Sequence, residues 1–433
     1  MNRLQINRLI RWKNAQTRKP LIIKGARQVG KTWLMKEFGK REYKQTIYIN
    51  LESSKHLRNI FTIDFDIKRI LTALQIETGI ACEANTSLII FDEIQEAPEA
   101  ITALKYFYEN APEYHVIAAG SLLGVAIHQH TSFPVGKVEF LELHPLNFQE
   151  FLEALGQNEL VSLLQDKDWI LIKTFKEKFI HYLRQYYFIG GMPEAVHKFS
   201  LNNDFGEVRE IQQNILQAYE QDFSKHAPKE IVPRIRMLWN SIPAQLAKEN
   251  KKFIYGIIKK GARAKDYEMA LIWLIDCGLI YKITRVTKPG IPLKAYEDLS
   301  AFKIFLVDIG LLAAMGNIDV KTLLAGNAVF EEFKGAITEQ FVLQELMSAK
   351  EIDIYYWSSE KSSAEVDFIV QHNGIIIPIE VKAEENLQAK SLKVFHQKYN
   401  PPLTIRTSMS DFRKENWLTN MPLYTIKELS SIT

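Results

Sequence analysis

Short, uninterrupted apolar runs alternate with longer amphipathic segments through the first third of the chain. Each run predicts a buried strand, and the runs lie at Leu21 to Lys24, Thr46 to Asn50, Ser87 to Phe91 and His115 to Ala119. Continuous apolar runs, unlike alternating ones, are typical of a parallel sheet that is covered on both faces. The pattern therefore predicts a doubly wound α/β domain over residues 1–147.

Residues 148–224 show a helical pattern. Phe151, Leu152 and Leu155 lie on one apolar stripe, and the segment from Phe175 to Tyr187 is rich in aromatic residues. We predict that this segment forms a helical lid that follows the sheet.

Residues 225–320 predict a winged-helix module. Their amphipathic helix from Lys265 to Cys277 is followed by Gly278, a residue typical of helix C-caps. A strand from Leu279 to Val286 comes next, and a turn rich in Pro and Gly at residues 289–292 supplies the tip of a wing.

Residues 321–433 predict a smaller α/β module. A helix begins near Ala328 and runs through Met347. Three strands follow, at Ile354 to Trp357, Glu365 to Gln371 and Ile375 to Lys382.

Composition narrows the class of protein. A chain of 433 residues is too long for one ordinary core, and 47% hydrophobic with 24% charged residues is typical of a globular protein in water. No stretch has the apolar length of a membrane span or a secretory signal. Cys82 and Cys277 give neither a disulfide framework nor metal-ligand spacing. These features predict a cytoplasmic protein.

The segment from Gly25 to Thr32 matches the phosphate-loop pattern at every fixed position, and it follows a predicted strand and opens a helix. Its glycines let backbone amides point at phosphate oxygens, and the helix N-terminus adds its dipole. Lys31 is predicted to bridge the β- and γ-phosphates of ATP, and the Thr32 hydroxyl to bind Mg²⁺. The predicted ATP-binding residues are Gly25, Ala26, Arg27, Gln28, Val29, Gly30, Lys31 and Thr32.

Paired carboxylates end the third predicted strand. Asp92 is predicted to lie beside the magnesium ion, which leaves Glu93 to take a proton from the attacking water. The next strand leads into Ser121, whose side chain is predicted to sense the γ-phosphate. The alternative for Ser121 is an ordinary loop serine.

These motifs, with Phe133 to Lys137, Leu143 to Leu146 and Gly190 to Glu194, resemble a family of prokaryotic AAA-type ATPases. The resemblance implies an AAA-like parallel sheet with a helical lid, then a domain of unassigned function that contains a restriction-endonuclease-like unit. That family often has Arg where Lys137 stands. We therefore expect either that Lys137 senses nucleotide weakly or that another arginine serves, because Lys lacks the planar fork of Arg.

A second set of polar residues lies in the last module. Alternation on a strand places Glu380 and Lys382 on one face, and Asp367 on the preceding strand and Glu339 on the preceding helix are predicted to join them. The set resembles the PD-(D/E)xK nuclease core. That resemblance implies that Glu339, Asp367 and Glu380 hold a metal ion and that Lys382 activates water for cleavage of DNA. The alternative is an inactive fold with ordinary surface charges.

Basic residues concentrate in the middle of the chain. From Lys225 to Lys294 there are 15 Lys or Arg against 5 Asp or Glu, although the net charge of the whole chain is only +3. Lys259, Lys260, Arg263 and Lys265 lie next to the predicted recognition helix, where a winged helix meets phosphates. This block predicts DNA binding, with contact to a protein partner as the alternative.

Together these features predict an ATPase that uses Mg²⁺ and acts on DNA, with the nucleotide state controlling the C-terminal modules. The alternative is a signalling or scaffold ATPase whose C-terminal half is an inactive nuclease fold that binds a protein. A helicase is disfavoured because the chain contains no second motor core. Homo-oligomerisation would supply contacts in trans, but the sequence does not fix the number of subunits.

Overall fold

Contacts within the chain divide it into two units. The N-terminal unit comprises Asn2–His144 and the short segment Asp276–Leu279, and the C-terminal unit comprises Pro145–Ile275 and Ile280–Thr433. The structure, a computed structural model, describes residues 2–121, 133–248, 252–325, 331–349, 352–359, 363–385 and 388–431. No helix among these residues is long and apolar enough to cross a membrane.

Five parallel strands form the sheet of the N-terminal unit. They are β1 (Leu21–Lys24), β2 (Gln45–Asn50), β3 (Ser87–Asp92), β4 (His115–Ala119) and β5 (Glu139–Glu142), in the order β2-β3-β4-β1-β5. Every residue of β3 and β4 is buried, as expected for central strands of a covered parallel sheet. The four predicted strands are therefore confirmed. The edge strand β5 was missed because three of its four residues are exposed.

Helices cover this sheet and connect its strands. They are α1 (Ile6–Lys13), α2 (Lys31–Glu42), α3 (Lys55–Ile63), α4 (Ile67–Thr78) and α5 (Pro98–Asn110), and a short 3-10 helix spans Ile94–Glu96. Local signals set their ends. The Asp66 side chain accepts hydrogen bonds from two amides at the start of α4, and Gly79 ends that helix with φ +68°. Pro98 begins α5, where its missing N–H is not needed.

The C-terminal unit begins with helices where the lid was predicted. They are α6 (Phe148–Ala154), α7 (Asn158–Asp166), α8 (Trp169–Thr174), α9 (Lys176–Ile189), α10 (Pro193–Asn202) and α11 (Phe205–His226). A capping box between Asn147 and Glu150 starts α6. The helical content of this segment is thus confirmed.

Three helices and a hairpin follow. The helices are α12 (Val232–Leu246), α13 (Tyr255–Ile258) and α14 (Ala264–Asp276), and the antiparallel strands are β6 (Ile280–Val286) and β7 (Glu297–Leu306). The predicted helix Lys265–Cys277 is correct to one residue at each end. The first strand of the hairpin, β6, was predicted. Its second strand, β7, was not.

The remaining elements extend this hairpin into a mixed sheet of eight strands. They are α15 (Ile309–Met315), α16 (Val320–Ala325), α17 (Glu331–Ser348), β8 (Asp353–Ser358), β9 (Glu365–His372), β10 (Ile375–Val381), α18 (Lys390–Tyr399), β11 (Ile405–Ser408), β12 (Arg413–Lys414) and β13 (Thr419–Pro422). The strand order is β12-β13-β11-β10-β9-β8-β6-β7. The sheet therefore continues across the boundary predicted at residue 320. The predicted helix start near Ala328 lies outside the described residues.

A buried carboxylate joins two turns of the C-terminal unit. Asp308 accepts a hydrogen bond from the Leu311 amide in the first turn of α15, at 3.0 Å, and another from the Gly191 amide before α10, at 2.6 Å. A Cβ on Gly191 would lie 2.1 Å from the Leu146 carbonyl oxygen, and one on Gly190 would lie 2.2 Å from Asp308 Oδ1. The Gly-Gly pair is required because no side chain fits between these groups.

Helix α17 presents two further buried polar side chains to the backbone of its neighbours. The Gln344 side chain accepts a hydrogen bond from the Ile309 amide at 3.0 Å, and Glu345 accepts one from the Phe148 amide at 2.8 Å. Burial raises the pKa of Glu345 to about 7, although the charge of Lys427 acts in the opposite direction. Burial likewise raises the pKa of Asp308 to about 6.

Stability should therefore fall as pH rises. Unfolded Glu345 loses its proton near pH 4.5, whereas the folded protein keeps it until about pH 7, so the folded state binds more protons in this window. We expect Glu345→Gln, which retains an acceptor for the Phe148 amide, to reduce the loss of stability between pH 5 and pH 8 by about 3 kcal/mol. Urea denaturation at both pH values measures this difference. An unchanged pH dependence would contradict a buried, protonated Glu345.

Candidate functional site

The phosphate loop connects β1 to α2, and backbone geometry explains its glycines. Gly25 has φ +145°, and a Cβ there would lie 2.2 Å from the Leu143 carbonyl oxygen. Gly30 has φ +94° at the N-cap of α2. Both conformations favour glycine, and the second directs the first amides of α2 toward the loop, as anion binding requires.

Lys31 is buried at the start of α2. Its ammonium donates hydrogen bonds to the carbonyl oxygens of Gly25 at 2.9 Å and of Ala26 at 2.8 Å. Burial lowers the pKa of Lys31 to about 8, while the carboxylates of Glu93 and Asp92 act in the opposite direction. The Lys31 ammonium, the cation of the phosphate-loop motif, is thus bound by carbonyl oxygens of the loop itself.

Three oxygen-bearing side chains meet at the end of β3. The Thr32 hydroxyl donates a hydrogen bond of 2.6 Å to Asp92 Oδ2, and the Tyr48 hydroxyl donates one of 2.9 Å to the same oxygen. Burial and the negative charge of Asp92 together raise the pKa of Tyr48 to about 12, so Tyr48 remains a donor. The predicted pair Thr32 and Asp92 is therefore in direct contact.

Glu93 follows Asp92 in a left-handed conformation, with φ +51°. Glu93 is partly exposed. The Gln95 side chain donates a hydrogen bond of 2.6 Å to Glu93 Oε2. The predicted base is thus accessible to water and fixed in orientation by a neighbouring amide.

Ser121 follows β4, which lies between β3 and β1. Since the three strands are parallel, their carboxyl ends meet at one edge of the sheet, with Ser121 between the phosphate loop and Asp92. Its Oγ is buried and has no hydrogen-bond partner among the described residues. Such an unsatisfied hydroxyl is uncommon in a folded protein and suits a residue that awaits a ligand.

Lys137 lies at the opposite edge of the sheet from the phosphate loop. Leu21, the first residue of β1, pairs with Glu139, the first residue of β5. Lys137 therefore precedes the amino ends of these strands, whereas the phosphate loop follows their carboxyl ends. The Lys137 ammonium forms an ion pair of 3.0 Å with Glu109. The structure does not bring Lys137 together with Lys31, and nucleotide sensing by Lys137 stays a prediction.

The predicted residues of the last module do come together. Lys382, the residue that follows β10, forms an ion pair of 2.8 Å with Glu380 on that strand. The Asp367 carboxylate on β9 accepts a hydrogen bond of 2.8 Å from the Val381 amide. The carboxylate of Glu339 on α17 is close enough to raise the pKa of Glu380, although burial is the larger cause. The four residues thus share one site.

Two further residues belong to this site. Lys303 on β7 forms ion pairs of 2.5 Å with Glu365 and 3.8 Å with Glu339. Burial alone would lower the pKa of Lys303, but the surrounding carboxylates outweigh it and raise the pKa above its ordinary value. We call this set the ion cluster: Lys303, Glu339, Glu365, Asp367, Glu380 and Lys382. Within the described ranges, no group of three or more His, Cys, Asp or Glu side chains is arranged to hold a metal ion.

Three segments of the chain match family models. Residues 17–152 match the AAA domain, and residues 180–322 and 334–426 match two domains of unknown function, DUF8612 and DUF4143. The first match contains the phosphate loop, Asp92, Glu93 and Ser121. Residues 17–152 are therefore similar to an AAA domain and contain a phosphate loop. No curated protein is significantly similar to the chain.

Solved structures are similar to this chain at low identity. A Walker-type ATPase of Pyrococcus abyssi is 15% identical, with 73% of this chain and 95% of that chain covered and a TM-score of 0.46. The Aeropyrum pernix ORC1 protein in complex with DNA is 12% identical, at 72% and 91% coverage and a TM-score of 0.28. AMPPCP-bound DnaA from Aquifex aeolicus is 14% identical, at 59% and 81% coverage and a TM-score of 0.27.

Sequence patterns missed several residues around the nucleotide site of the AAA-type domain. Tyr48 contacts Asp92 because β2 lies beside β3, and strand order is not readable from a single strand. The Arg3 side chain is buried, and its guanidinium donates hydrogen bonds to the carbonyl oxygens of Val29 at 3.0 Å and His144 at 2.6 Å. The first of these bonds helps to fix the backbone of the phosphate loop. The contact of Gln95 with Glu93 could have been predicted in part, because Gln95 lies only two residues after Glu93.

Proposed function

We propose that the chain is a magnesium-dependent ATPase that acts on DNA, with the nucleotide state controlling its C-terminal region. The observation that carries the ATPase half is the 2.6 Å hydrogen bond from Thr32 to Asp92. P-loop NTPases hold magnesium with the hydroxyl that follows the loop lysine and with an Asp at the end of a neighbouring strand. Magnesium takes few protein ligands and keeps waters and phosphate oxygens, so this pair fits it.

Different residues of the site have different roles in the proposed hydrolysis of ATP. Mg²⁺, when bound with ATP, neutralises charge on the phosphates. Lys31 supplies a cation that needs only to turn from the loop carbonyls toward a phosphate. Glu93 accepts the proton of the attacking water, and Gln95 keeps the Glu93 carboxylate in position. Ser121 offers, at the same edge of the sheet, a buried hydroxyl that no other described residue engages in a hydrogen bond.

Thr32→Ala tests the magnesium site. We expect the Mg²⁺ concentration for half-maximal phosphate release to rise by about 10- to 100-fold, because a ligand hydroxyl is lost. Thr32→Ser keeps that hydroxyl and should remain close to the wild type. Phosphate release by the full chain, measured over a series of MgCl₂ concentrations at fixed ATP, gives both values. An unchanged Mg²⁺ requirement in Thr32→Ala would exclude the proposed site.

The DNA half of the proposal rests on exposed basic residues beside α14. Three helices followed by a hairpin are the arrangement that the winged-helix hypothesis requires. Lys259, Lys260, Arg263 and Lys265 are all exposed, and none of them forms an ion pair within the ranges that the structure describes. Unpaired exposed cations next to a helix suit contact with phosphates.

Salt dependence tests this half. If four phosphates are contacted, affinity for duplex DNA should fall about 10²-fold between 50 and 200 mM salt. Replacing the four residues by Ala should weaken binding and flatten the salt dependence. A matched control removes four exposed basic residues elsewhere, at Lys390, Lys393, Lys398 and Lys414, and should keep the wild-type slope. Fluorescence anisotropy with a labelled duplex measures all three proteins.

One observation favours the second candidate, a signalling or scaffold ATPase that binds a protein. Met269 and Ile272 lie one turn apart on α14 and are 61% and 42% exposed. Apolar side chains on the outer face of a helix are typical of protein contacts and poor at reading base edges. An affinity for DNA that does not change between low and physiological salt would exclude the first candidate and leave this one.

A further inference from the structure

The sequence predicted neither Lys303 nor its partner Glu365 as a member of the ion cluster, and Lys303 is the more deeply buried of the two. It lies in β7 inside the apolar run Ala301 to Leu306, and its side chain is 1% exposed. Its ammonium contacts Glu365 at 2.5 Å and Glu339 at 3.8 Å, and it lies 4.9 Å from the centre of the Tyr356 ring. Lysine is almost never fully buried unless it is paired.

The charges of the ion cluster explain why a buried cation is needed. Four carboxylates converge there, and the ion pairs described within the cluster come from two ammonium groups, those of Lys303 and Lys382. A buried carboxylate without a counter-ion would be strongly destabilising. In a metal-dependent site, a divalent ion supplies the missing positive charge.

Lys303 and Lys382 occupy different parts of the cluster. The Lys382 side chain is 30% exposed and pairs with Glu380, as a residue at the mouth of a site would. Lys303 is enclosed and contacts Glu339, which was predicted as a metal ligand. Its ammonium therefore lies between Glu339 on α17 and Glu365 on β9, beside the carboxylates that were predicted to bind metal.

We propose that the Lys303 ammonium takes the place of a divalent cation, so that the ion cluster of this chain holds no metal. The proposal does not depend on the ATPase function. It departs from the nuclease resemblance, because the residues expected to bind metal are present but a lysine neutralises them. It agrees with the result that no group of three or more potential ligands among the described residues is arranged to hold a metal ion.

Removing Lys303 without changing the net charge should open a metal site. The double variant Lys303→Met/Glu365→Gln deletes one positive and one negative charge and leaves Glu339, Asp367 and Glu380 intact. We expect it to bind one Mn²⁺ at least about tenfold more tightly than the wild type, and to lose that ion when Glu380→Gln is added. Lys282→Met is the matched control, since Lys282 lies on the paired strand β6 and contacts an aromatic ring.

Electron paramagnetic resonance of Mn²⁺, recorded on the full chain without nucleotide, measures free and bound ion. Wild type and Glu380→Gln should bind Mn²⁺ equally, and this comparison holds even if the double variant does not fold. Binding by the wild type that Glu380→Gln abolishes would overturn the proposal. A folded double variant that binds Mn²⁺ no better than the wild type would overturn it as well.

Discussion

Replacing Glu93 by Gln is expected to lower the rate of ATP hydrolysis about 10²- to 10⁴-fold while ATP binding persists. General-base catalysis contributes a factor of this size, and the amide of Gln cannot accept the proton of water at neutral pH. The Glu93 charge acts on Lys31, but among the described residues its carboxylate forms neither a hydrogen bond nor an ion pair with Thr32 or Lys31, so we expect the phosphate loop to keep its geometry. Phosphate release and binding of a fluorescent ATP analogue measure the two effects separately.

Two comparisons make this result specific to the base. Lys31→Ala should lose both binding and hydrolysis, because it removes the cation of the loop. Glu96→Gln removes a carboxylate three residues further on, which forms a 3.7 Å ion pair with Arg58, and should leave turnover near the wild-type rate. If Glu93→Gln hydrolyses ATP as fast as Glu96→Gln does, Glu93 is not the base.

The nucleotide site was predictable because its determinants are local. The strand, loop and first helical turn around Lys31 are contiguous in the chain, and β3 ends directly in Asp92. Parallel strands share a carboxyl edge, which brings these two segments together without further information. Lys137 shows the limit of this reasoning. The family resemblance placed it near the nucleotide, but the direction of β5 places it at the opposite edge.

The C-terminal unit was less predictable because its decisive contacts join distant segments. The motif residues Glu380 and Lys382 were found from alternation on one strand. Lys303 was not, although a lysine within the apolar run of β7 is a readable signal of a paired, buried charge. Its partners depend on the packing of α17 against the sheet, and a single sequence does not show which helix covers which strands.

The same difficulty applies to the Gly-Gly turn before α10. The sequence indicates the pair only through a family resemblance, whereas its physical reason is a partner more than a hundred residues away. Gly190 and Gly191 leave room for the carboxylate of Asp308 and for the carbonyl oxygen of Leu146. This turn is therefore better explained by structure than by catalysis.

Asp308→Ala is expected to destabilise the C-terminal unit by about 3–5 kcal/mol, the largest stability effect that we predict. The change leaves two buried amides without their acceptor, at about 1–3 kcal/mol each. They are the Gly191 amide and the Leu311 amide, and the second of these is the one that Asp308 caps at the start of α15. Relief from burying the carboxylate offsets part of this loss, because burial already raises the pKa of Asp308 to about 6.

Two variants and a local measurement separate these causes. Asp308→Asn keeps one acceptor oxygen and should lose less stability than Asp308→Ala. Asp204→Ala removes an exposed cap, whose side chain accepts from the amides of Gly206 and Glu207 at the start of α11, and should cost only about 1 kcal/mol. Urea denaturation ranks the three variants. Hydrogen exchange should rise at the Gly191 and Leu311 amides in Asp308→Ala, whereas unchanged exchange there would show that the carboxylate does not hold these two turns together.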